Sequence, residues 1–409
     1  MSKRKTIAGS CQDDGYQEYV NLSIEWNRWI LKPMGVWPRS SNMSRLRRCF
    51  TRMTNALCYS LITFLFVPCG LYVFLEVEDI YDKLKLFGPL IFCVMAFMKY
   101  SSLIVHENEI RECMRLIEWD WRNARHREDR RIMVANATFG RRLVKICAFF
   151  MFSGFVFYYI AVPISVGRIA HAGTNRTFLP LMFPFPKLIA NTHVSPANEI
   201  IVSIQFVAGM VLHVVAVGSC SLAAVFAAHL CGQMEILMCW LGHLVDGRDD
   251  MSSTMNGRVA SIVSQHVRIL KFLTLVERTI TQISLVEFFG STLDVCLLGY
   301  YVIVEWTSKE MTATVTYMVL LISLTFNIFI FCYIGELVAE QCRKVGVMSY
   351  MIDWYRLPEN DKLSLVLIMA MSNSSMKLTA GSLVQLSLTT FSDVVKTSVA
   401  FLNMLRTLA

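Results

Sequence analysis

Seven long apolar stretches constrain the fold of this chain more than any other feature of its sequence. Crossing the hydrocarbon core of a bilayer takes about 20 consecutive apolar residues. Four of the stretches contain no Asp, Glu, Lys or Arg, and the others hold one or two each. The sequence therefore predicts an all-α membrane protein with seven transmembrane helices, at residues 55–75, 86–105, 146–166, 200–230, 279–304, 311–335 and 378–405.

The distribution of basic residues predicts the orientation, because membrane insertion retains Lys and Arg in cytoplasmic segments close to the spans. Ten of them precede residue 53, and the loops 106–142, 231–278 and 339–377 hold nine, five and five. The three other loops hold six together. We therefore expect a cytoplasmic amino terminus and an extracellular carboxyl terminus, the inverse of a G-protein-coupled receptor.

Composition and motifs exclude several classes of function. A hydrophobic content of 55% and a mean hydropathy of +0.47 leave little room for a soluble domain. No P-loop, dinucleotide fingerprint, hydrolase elbow or zinc motif occurs, so we expect no enzyme, no metal and no cofactor. The net charge of +8 lies in the predicted cytoplasmic loops and suits anionic membrane lipid rather than nucleic acid.

The long outward loop, residues 167–199, contains the sequon Asn175-Arg176-Thr177. An Asn-X-Thr sequence in an extracellular loop is an acceptor for N-glycosylation. None of the thirteen cysteines lies in a predicted outer loop, so no extracellular disulfide framework is expected. Asn175 is therefore the predicted modification site.

Helical periodicity continues beyond the fourth predicted span and resumes before the fifth. Apolar residues recur at helical spacing over 230–244 and again over 259–273, and a further apolar run at 363–371 is too short to span. These segments predict helices that extend into the cytoplasm and pack together as an anchor. An apolar surface of this size could also join subunits.

Charged residues inside predicted spans are the sharpest polar signal: Lys99, Glu287, Asp294, Asp393 and Lys396. Charge at mid-membrane costs about 2.5–3.5 kcal/mol on insertion scales, so such groups face a pore, a cavity or one another. Asp393 and Lys396 stand three apart in the last span, which is also rich in Ser and Thr. A pore-lining helix and a mutually neutralising pair both explain this pattern.

Aromatic and large apolar residues recur in the predicted outer halves of the second, third, fourth and sixth spans. A cavity lined by such side chains would admit small hydrophobic molecules. Ordinary helix packing is the competing explanation at each position. The candidate ligand-binding residues are Phe87, Ile91, Phe92, Phe155, Tyr158, Tyr159, Phe206, Met210, Tyr317 and Leu321.

The carboxyl-terminal sequence resembles the end of insect odorant receptors. The similarity runs through Asp353-Trp354-Tyr355, the segment 377–381, the segment 386–391 and Val394-Val395-Lys396-Thr397-Ser398, in this order and spacing. The segments 26–38 and 265–270 look similar too. The chain lacks the Thr-Tyr ending of gustatory receptors and has a shorter second cytoplasmic loop than the shared co-receptor, so it resembles a ligand-tuned subunit.

The resemblance implies an odorant-gated, non-selective cation channel in the plasma membrane of sensory neurons. Its ligand would be a small hydrophobic volatile molecule, and its partner the odorant co-receptor in a heterotetramer. The last span would line the pore with Asp393, Lys396, Thr397, Ala400 and Met404.

A G-protein-coupled chemoreceptor is the alternative function, since it would also have seven spans and an aromatic pocket. The distribution of basic residues, the absence of an outer cysteine pair and the absence of an Asn-Pro motif in the last span count against it. Under the channel hypothesis the chain divides as follows: 1–54, cytoplasmic amino-terminal segment; 55–230, spans one to four with the ligand pocket; 231–282, anchor helices; 283–338, spans five and six; 339–377, anchor segment; 378–409, pore-lining last span and extracellular carboxyl terminus.

Overall fold

The computed structural model describes residues 2–37, 44–167, 169–170, 177–187, 192, 195–308, 311–373 and 377–408. Helices dominate these residues, and the strands are two short antiparallel pairs. The elements are α1 (Ser2–Leu31), α2 (Arg45–Leu75), α3 (Ile80–Val105), α4 (Glu107–Asn123), α5 (Arg127–Val156), a π-helical turn (Phe157–Ala161), α6 (Val162–Val166), β1 (Ile169–Ala170), β2 (Thr177–Phe178), α7 (Ala197–Gly242), α8 (Met255–Ser308), α9 (Met311–Met351), a 3₁₀ turn (Trp354–Arg356), α10 (Glu359–Asn373), β3 (Thr379–Ala380), β4 (Val384–Gln385) and α11 (Leu388–Leu408).

Six of the helical segments in the described part of the chain are long and apolar enough to cross a membrane. They are α2, α3, the continuous segment from α5 through α6, α7, α8 and α9. Each contains one of the first six predicted spans, so those six predictions are confirmed as helices of spanning length. The 21-residue α11 is not among them, because hydroxyl and charged side chains lower its hydropathy. The seventh span and the orientation remain predictions.

The last helix begins at Leu388, not at Leu378 as the sequence predicted. The intervening residues form the β3–β4 hairpin, whose turn holds Gly381 and Ser382 at φ values of 62° and 59°. Two successive left-handed residues stop a helix, and glycine adopts this conformation without steric cost. Ser387 then caps α11, since its Oγ accepts from the Thr390 backbone N–H at 3.1 Å.

Helix α7 lies at the centre of the bundle and contacts α1, α2, α3, α5, α8 and α9. Every residue from 215 to 234 is buried, and small residues are frequent there. A Cβ on Gly218 would lie 2.7 Å from Leu31 Cδ2, and one on Gly140 of α5 would lie 2.8 Å from Ala228 Cβ. These close approaches require glycine, and they fix α1 and α5 against α7.

The long helices α7, α8 and α9 run without a break through the boundaries predicted at residues 230, 282 and 338. The second halves of α7 and α9 and the first half of α8 pack with α1, α4, α10 and the first half of α5. We call this assembly the basal bundle. Polar pairs hold it: Arg248 contacts Asp129 at 2.8 Å, and Asp120 contacts His229 at 3.0 Å. Burial opposes the charged form of Arg248, but the carboxylates of Asp129 and Asp250 outweigh it and raise the guanidinium pKa above its usual value.

Candidate functional site

A cavity of about 210 Å³ lies between α3, the end of α5, α7, α8 and α9, away from the basal bundle. Its wall is largely apolar and aromatic, with a few polar groups. The lining residues are Lys85, Leu86, Gly88, Pro89, Phe92, Met151, Gly154, Tyr158, Tyr159, Phe183, His213, Asp294, Leu297, Leu298, Tyr301, Tyr317, Leu320, Ser323 and Leu324.

A π-helical turn, Phe157–Ala161, brings two consecutive tyrosines to the cavity. Single π-helical turns inside α-helices occur frequently at functional sites. The Tyr158 hydroxyl donates to the Met182 carbonyl at 3.0 Å, and the Tyr159 ring stacks on Phe155 with centroids 4.9 Å apart. Both rings are therefore fixed by neighbours outside the cavity.

Gly209 of α7 makes room for the Tyr159 ring. A Cβ at this position would lie 2.2 Å from two ring carbons of Tyr159, far inside van der Waals contact. The ring also contacts His213, one helical turn further along α7, at a centroid distance of 5.9 Å. The absent side chain at Gly209 is what lets Tyr159 occupy its place in the cavity wall.

The segment 177–187 closes one side of the cavity through Phe183, which is 3% exposed. The buried amide of Gln205 holds this segment: its Oε1 accepts from the backbone N–H groups of Met182 and Phe183 at 3.1 and 3.3 Å, and its Nε2 donates to the Phe183 carbonyl at 2.7 Å. Asn198 makes a similar pair of hydrogen bonds with the backbone of Leu179. Two α7 amides thus fix the covering segment by its main chain.

Most polar groups of the cavity already have partners. The Ser323 Oγ donates to the Phe150 carbonyl at 2.8 Å, and Lys85 pairs with Glu305 at 3.2 Å. The His213 Nδ1 lies 2.9 Å from the Gly209 carbonyl, which only accepts, so Nδ1 is the donor. Asp294 is different: it is 2% exposed, and neither carboxyl oxygen has a hydrogen-bond partner among the described residues.

Four of the ten predicted ligand-binding residues line this cavity: Phe92, Tyr158, Tyr159 and Tyr317. The six others lie elsewhere. Phe87, Phe206 and Met210 are 38–41% exposed at the bundle surface, Ile91 packs beside Leu297 and Tyr301, Phe155 lies behind Tyr159, and Leu321 is the half-buried neighbour of the lining residue Leu320.

Several lining residues were not selected from the sequence. Asp294 carried a signal, since a charged residue inside an apolar span indicates a functional site. His213, also inside a span, carried a weaker one. Phe183 carried none, because no periodicity reveals which loop residue folds back over a cavity.

The residues proposed for the pore lie on α11. Asp393 and Lys396 form an exposed ion pair at 3.8 Å, and Thr397, Ala400 and Met404 are exposed as well. The opposite face of α11 packs into the bundle through Val394 and Ser398. The glycosylation candidate Asn175 lies outside the described residues. Within those residues no group of three His, Cys, Asp or Glu side chains could hold a metal ion.

The comparison with protein families decides the classification. A family model described as 7tm odorant receptor matches residues 79–399, most of the chain. The chain belongs to the insect odorant receptor family. Curated relatives include Odorant receptor 10 of Aedes albopictus, 24% identical over 149 residues, and Odorant receptor 85b of Drosophila melanogaster, 27% identical over 150 residues. These matches cover 36% and 37% of this chain, and only 39% and 38% of the relatives.

Solved insect olfactory receptors share the fold. The structure of OR5 from Machilis hrabei in complex with eugenol superposes with a TM-score of 0.76 at 16% identity, covering 96% of this chain and all of that one. A second structure of the same receptor gives a TM-score of 0.74 at 18% identity. At this identity the likeness establishes the helical architecture of the odorant receptor, and no more.

Proposed function

We propose that this odorant receptor is the ligand-tuned subunit of an odorant-gated, non-selective cation channel. Small hydrophobic volatile molecules bind in the aromatic cavity, which lies in the outer half of the bundle, and binding opens a pore lined by the last helix. The partner is the odorant co-receptor, with which the chain forms a heterotetramer in the plasma membrane of sensory neurons.

The cavity is the observation that supports ligand binding most strongly. Its volume of about 210 Å³ is below the range of about 300–1,000 Å³ that is usual for drug-sized ligands, so it suits small molecules. Aromatic rings supply apolar contact area, and Met151 adds an adaptable side chain. The solved complex of the Machilis hrabei receptor with eugenol makes eugenol a reasonable first test ligand.

The two faces of α11 support the pore assignment. One face packs on the bundle through Val394 and Ser398, whereas Asp393, Lys396 and Thr397 lie on the exposed face. Polar groups on a membrane helix are stable where they meet water or another subunit. In a tetramer, four such faces would surround a central aqueous path, and membrane lipid would contact the apolar helices.

The test is electrical recording from cells that express this chain with an insect odorant co-receptor, compared with the co-receptor alone. We expect a ligand-evoked cation current only in the first case, and we expect it to persist with GDP-β-S in the pipette. Tyr158→Ala should raise the EC50, whereas Tyr350→Ala, at an exposed position of the basal bundle, should not.

A response that GDP-β-S abolishes would refute the channel and favour the G-protein-coupled alternative. An unchanged EC50 in Tyr158→Ala would place the ligand outside this cavity.

A further inference from the structure

Asp294 stands out among the cavity residues because its carboxyl group is buried and has no hydrogen-bond partner in the described part of the chain. It lies on α8, and its Oδ1 is directed at Gly88 of α3, where an added Cβ would lie 3.7 Å away. Buried polar groups in native proteins are nearly always hydrogen-bonded, because leaving one unpaired is costly. An unpaired carboxyl group in a ligand cavity is therefore positioned to bind a polar group of the ligand.

The nearby cations are already engaged by other carboxylates. Lys99 of α3 forms an ion pair with Glu287, whose Oε1 also accepts from Ser291 at 2.7 Å and from Asn327 at 2.6 Å. Lys85, which lines the cavity, pairs with Glu305. Among the described residues, neither lysine forms an ion pair with Asp294.

An ionised carboxylate without a counter-ion is very costly in an apolar, buried site. The surroundings of Asp294 therefore favour the neutral carboxyl group, which presents one O–H donor and one carbonyl acceptor. His213 adds a second acceptor to the same cavity: because Nδ1 donates to the Gly209 carbonyl, the neutral ring leaves Nε2 to accept.

A single hydroxyl group complements this arrangement, because it donates and accepts through one atom. An ether, ester or ketone oxygen only accepts, and a hydrocarbon does neither. Resting on the function proposed above, we infer that the cavity selects small apolar alcohols or phenols, with the ligand hydroxyl bonded to the Asp294 carboxyl group. The aromatic wall holds the apolar remainder.

The test compares ligands of one chain length on one set of variants. The ligands are 1-octanol, its methyl ether and octylamine. Asp294→Asn keeps a donor and an acceptor but cannot ionise, Asp294→Leu has neither, and Asp249→Leu in an exposed loop is the matched control. Binding is read from the rise in melting temperature of the purified full-length protein, and gating from the EC50 in cells with the co-receptor.

The original protein should respond to 1-octanol at an EC50 at least about tenfold lower than to the ether, which corresponds to ~1.4 kcal/mol. Asp294→Asn and Asp249→Leu should keep this ratio, and Asp294→Leu should abolish it by raising the 1-octanol EC50 alone. Each ligand enters the membrane equally in all variants, so a change in the ratio reports the contact with residue 294. The melting-temperature shifts should rank the ligands in the same way.

An alcohol preference that survives in Asp294→Leu would overturn the inference. So would a preference for octylamine that Asp294→Asn removes, because that result requires an ionised carboxylate. One outcome separates the two proposals: no current appears in cells, 1-octanol stabilises the purified original protein more than the ether does, and Asp294→Leu loses this difference. In that case the hydroxyl site stands and the channel proposal fails.

Discussion

Gly209→Ala tests whether the contact between α7 and Tyr159 sets the shape of the cavity. The added methyl carbon would lie 2.2 Å from the Tyr159 ring, so the ring has to move by roughly 1.3 Å to restore van der Waals separation. Tyr159 is 6% exposed and also contacts Phe155, Tyr158 and Phe183. The cavity is the space into which the ring can move.

Overpacking of a buried site costs about 1–3 kcal/mol. If the displaced ring occupies ligand space, this cost appears as a rise of about 5- to 150-fold in the EC50 of an odorant. Part of it should also appear as a lower melting temperature of the purified receptor. The two measurements together separate a narrowed cavity from a misfolded protein.

Gly70→Ala on α2 is the matched control, because the added Cβ would make only an ordinary contact, with Leu90 Cδ1 of α3 at 3.9 Å. It should leave the EC50 unchanged and should not lower the melting temperature, because Ala favours a helix more than Gly does. In the background Tyr159→Ala, the clash no longer exists, so adding Gly209→Ala should have little further effect. Equal EC50 values for Gly209→Ala and the original protein, or additive effects in the double variant, would refute this account of the cavity wall.

Three further predictions concern the covering segment, the basal bundle and the topology. Gln205→Leu leaves the backbone groups that hold Phe183 unpaired, at about 1–3 kcal/mol, so bound odorant should dissociate faster after washout. Asp129→Ala removes the buried carboxylate from Arg248 and leaves its guanidinium to the more exposed Asp250, so it should destabilise the receptor by about 1.5–3 kcal/mol, whereas Asp129→Leu combined with Arg248→Met should recover much of its melting temperature. In microsomes, Asn175→Gln should abolish the gel shift on glycosidase treatment.

Each of these has a clear contrary result. Unchanged washout kinetics in Gln205→Leu would show that the segment does not retain the ligand. A double variant at Asp129 and Arg248 no more stable than Asp129→Ala would show that the pair does not account for the loss. Glycosylation at the sequons of Asn21, Asn42 or Asn136 would show that the orientation in the membrane is the opposite of the predicted one.

The sequence predicted the spanning helices well, since length and absence of charge are local properties. It failed at the start of α11, where apolar residues on both sides of Gly381 read as one continuous span although the backbone turns there. Hydropathy does not report a hairpin of four strand residues. The positive φ at Gly381 and Ser382 depends on tertiary contacts, including the Gly381 N–H donating to the Thr281 carbonyl at 2.9 Å.

The cavity was harder to predict, because its wall depends on how each helix is rotated. Adjacent residues on a helix point about 100° apart, so Leu320 lines the cavity and its predicted neighbour Leu321 does not. The π-helical turn changes this angle between successive side chains and brings both Tyr158 and Tyr159 to the wall. The fit of Tyr159 against Gly209 joins residues fifty positions apart, which no local pattern encodes.

Photolabelling with an octanol that carries a diazirine on its chain is the most direct test of ligand binding in this cavity. The full-length receptor is irradiated with and without excess 1-octanol, and the labelled peptides are mapped by mass spectrometry. We expect labelling that 1-octanol competes for, at peptides containing Tyr158–Tyr159 and Tyr317–Leu324. Competable labelling confined to the basal bundle or to the exposed face of α2 would contradict it.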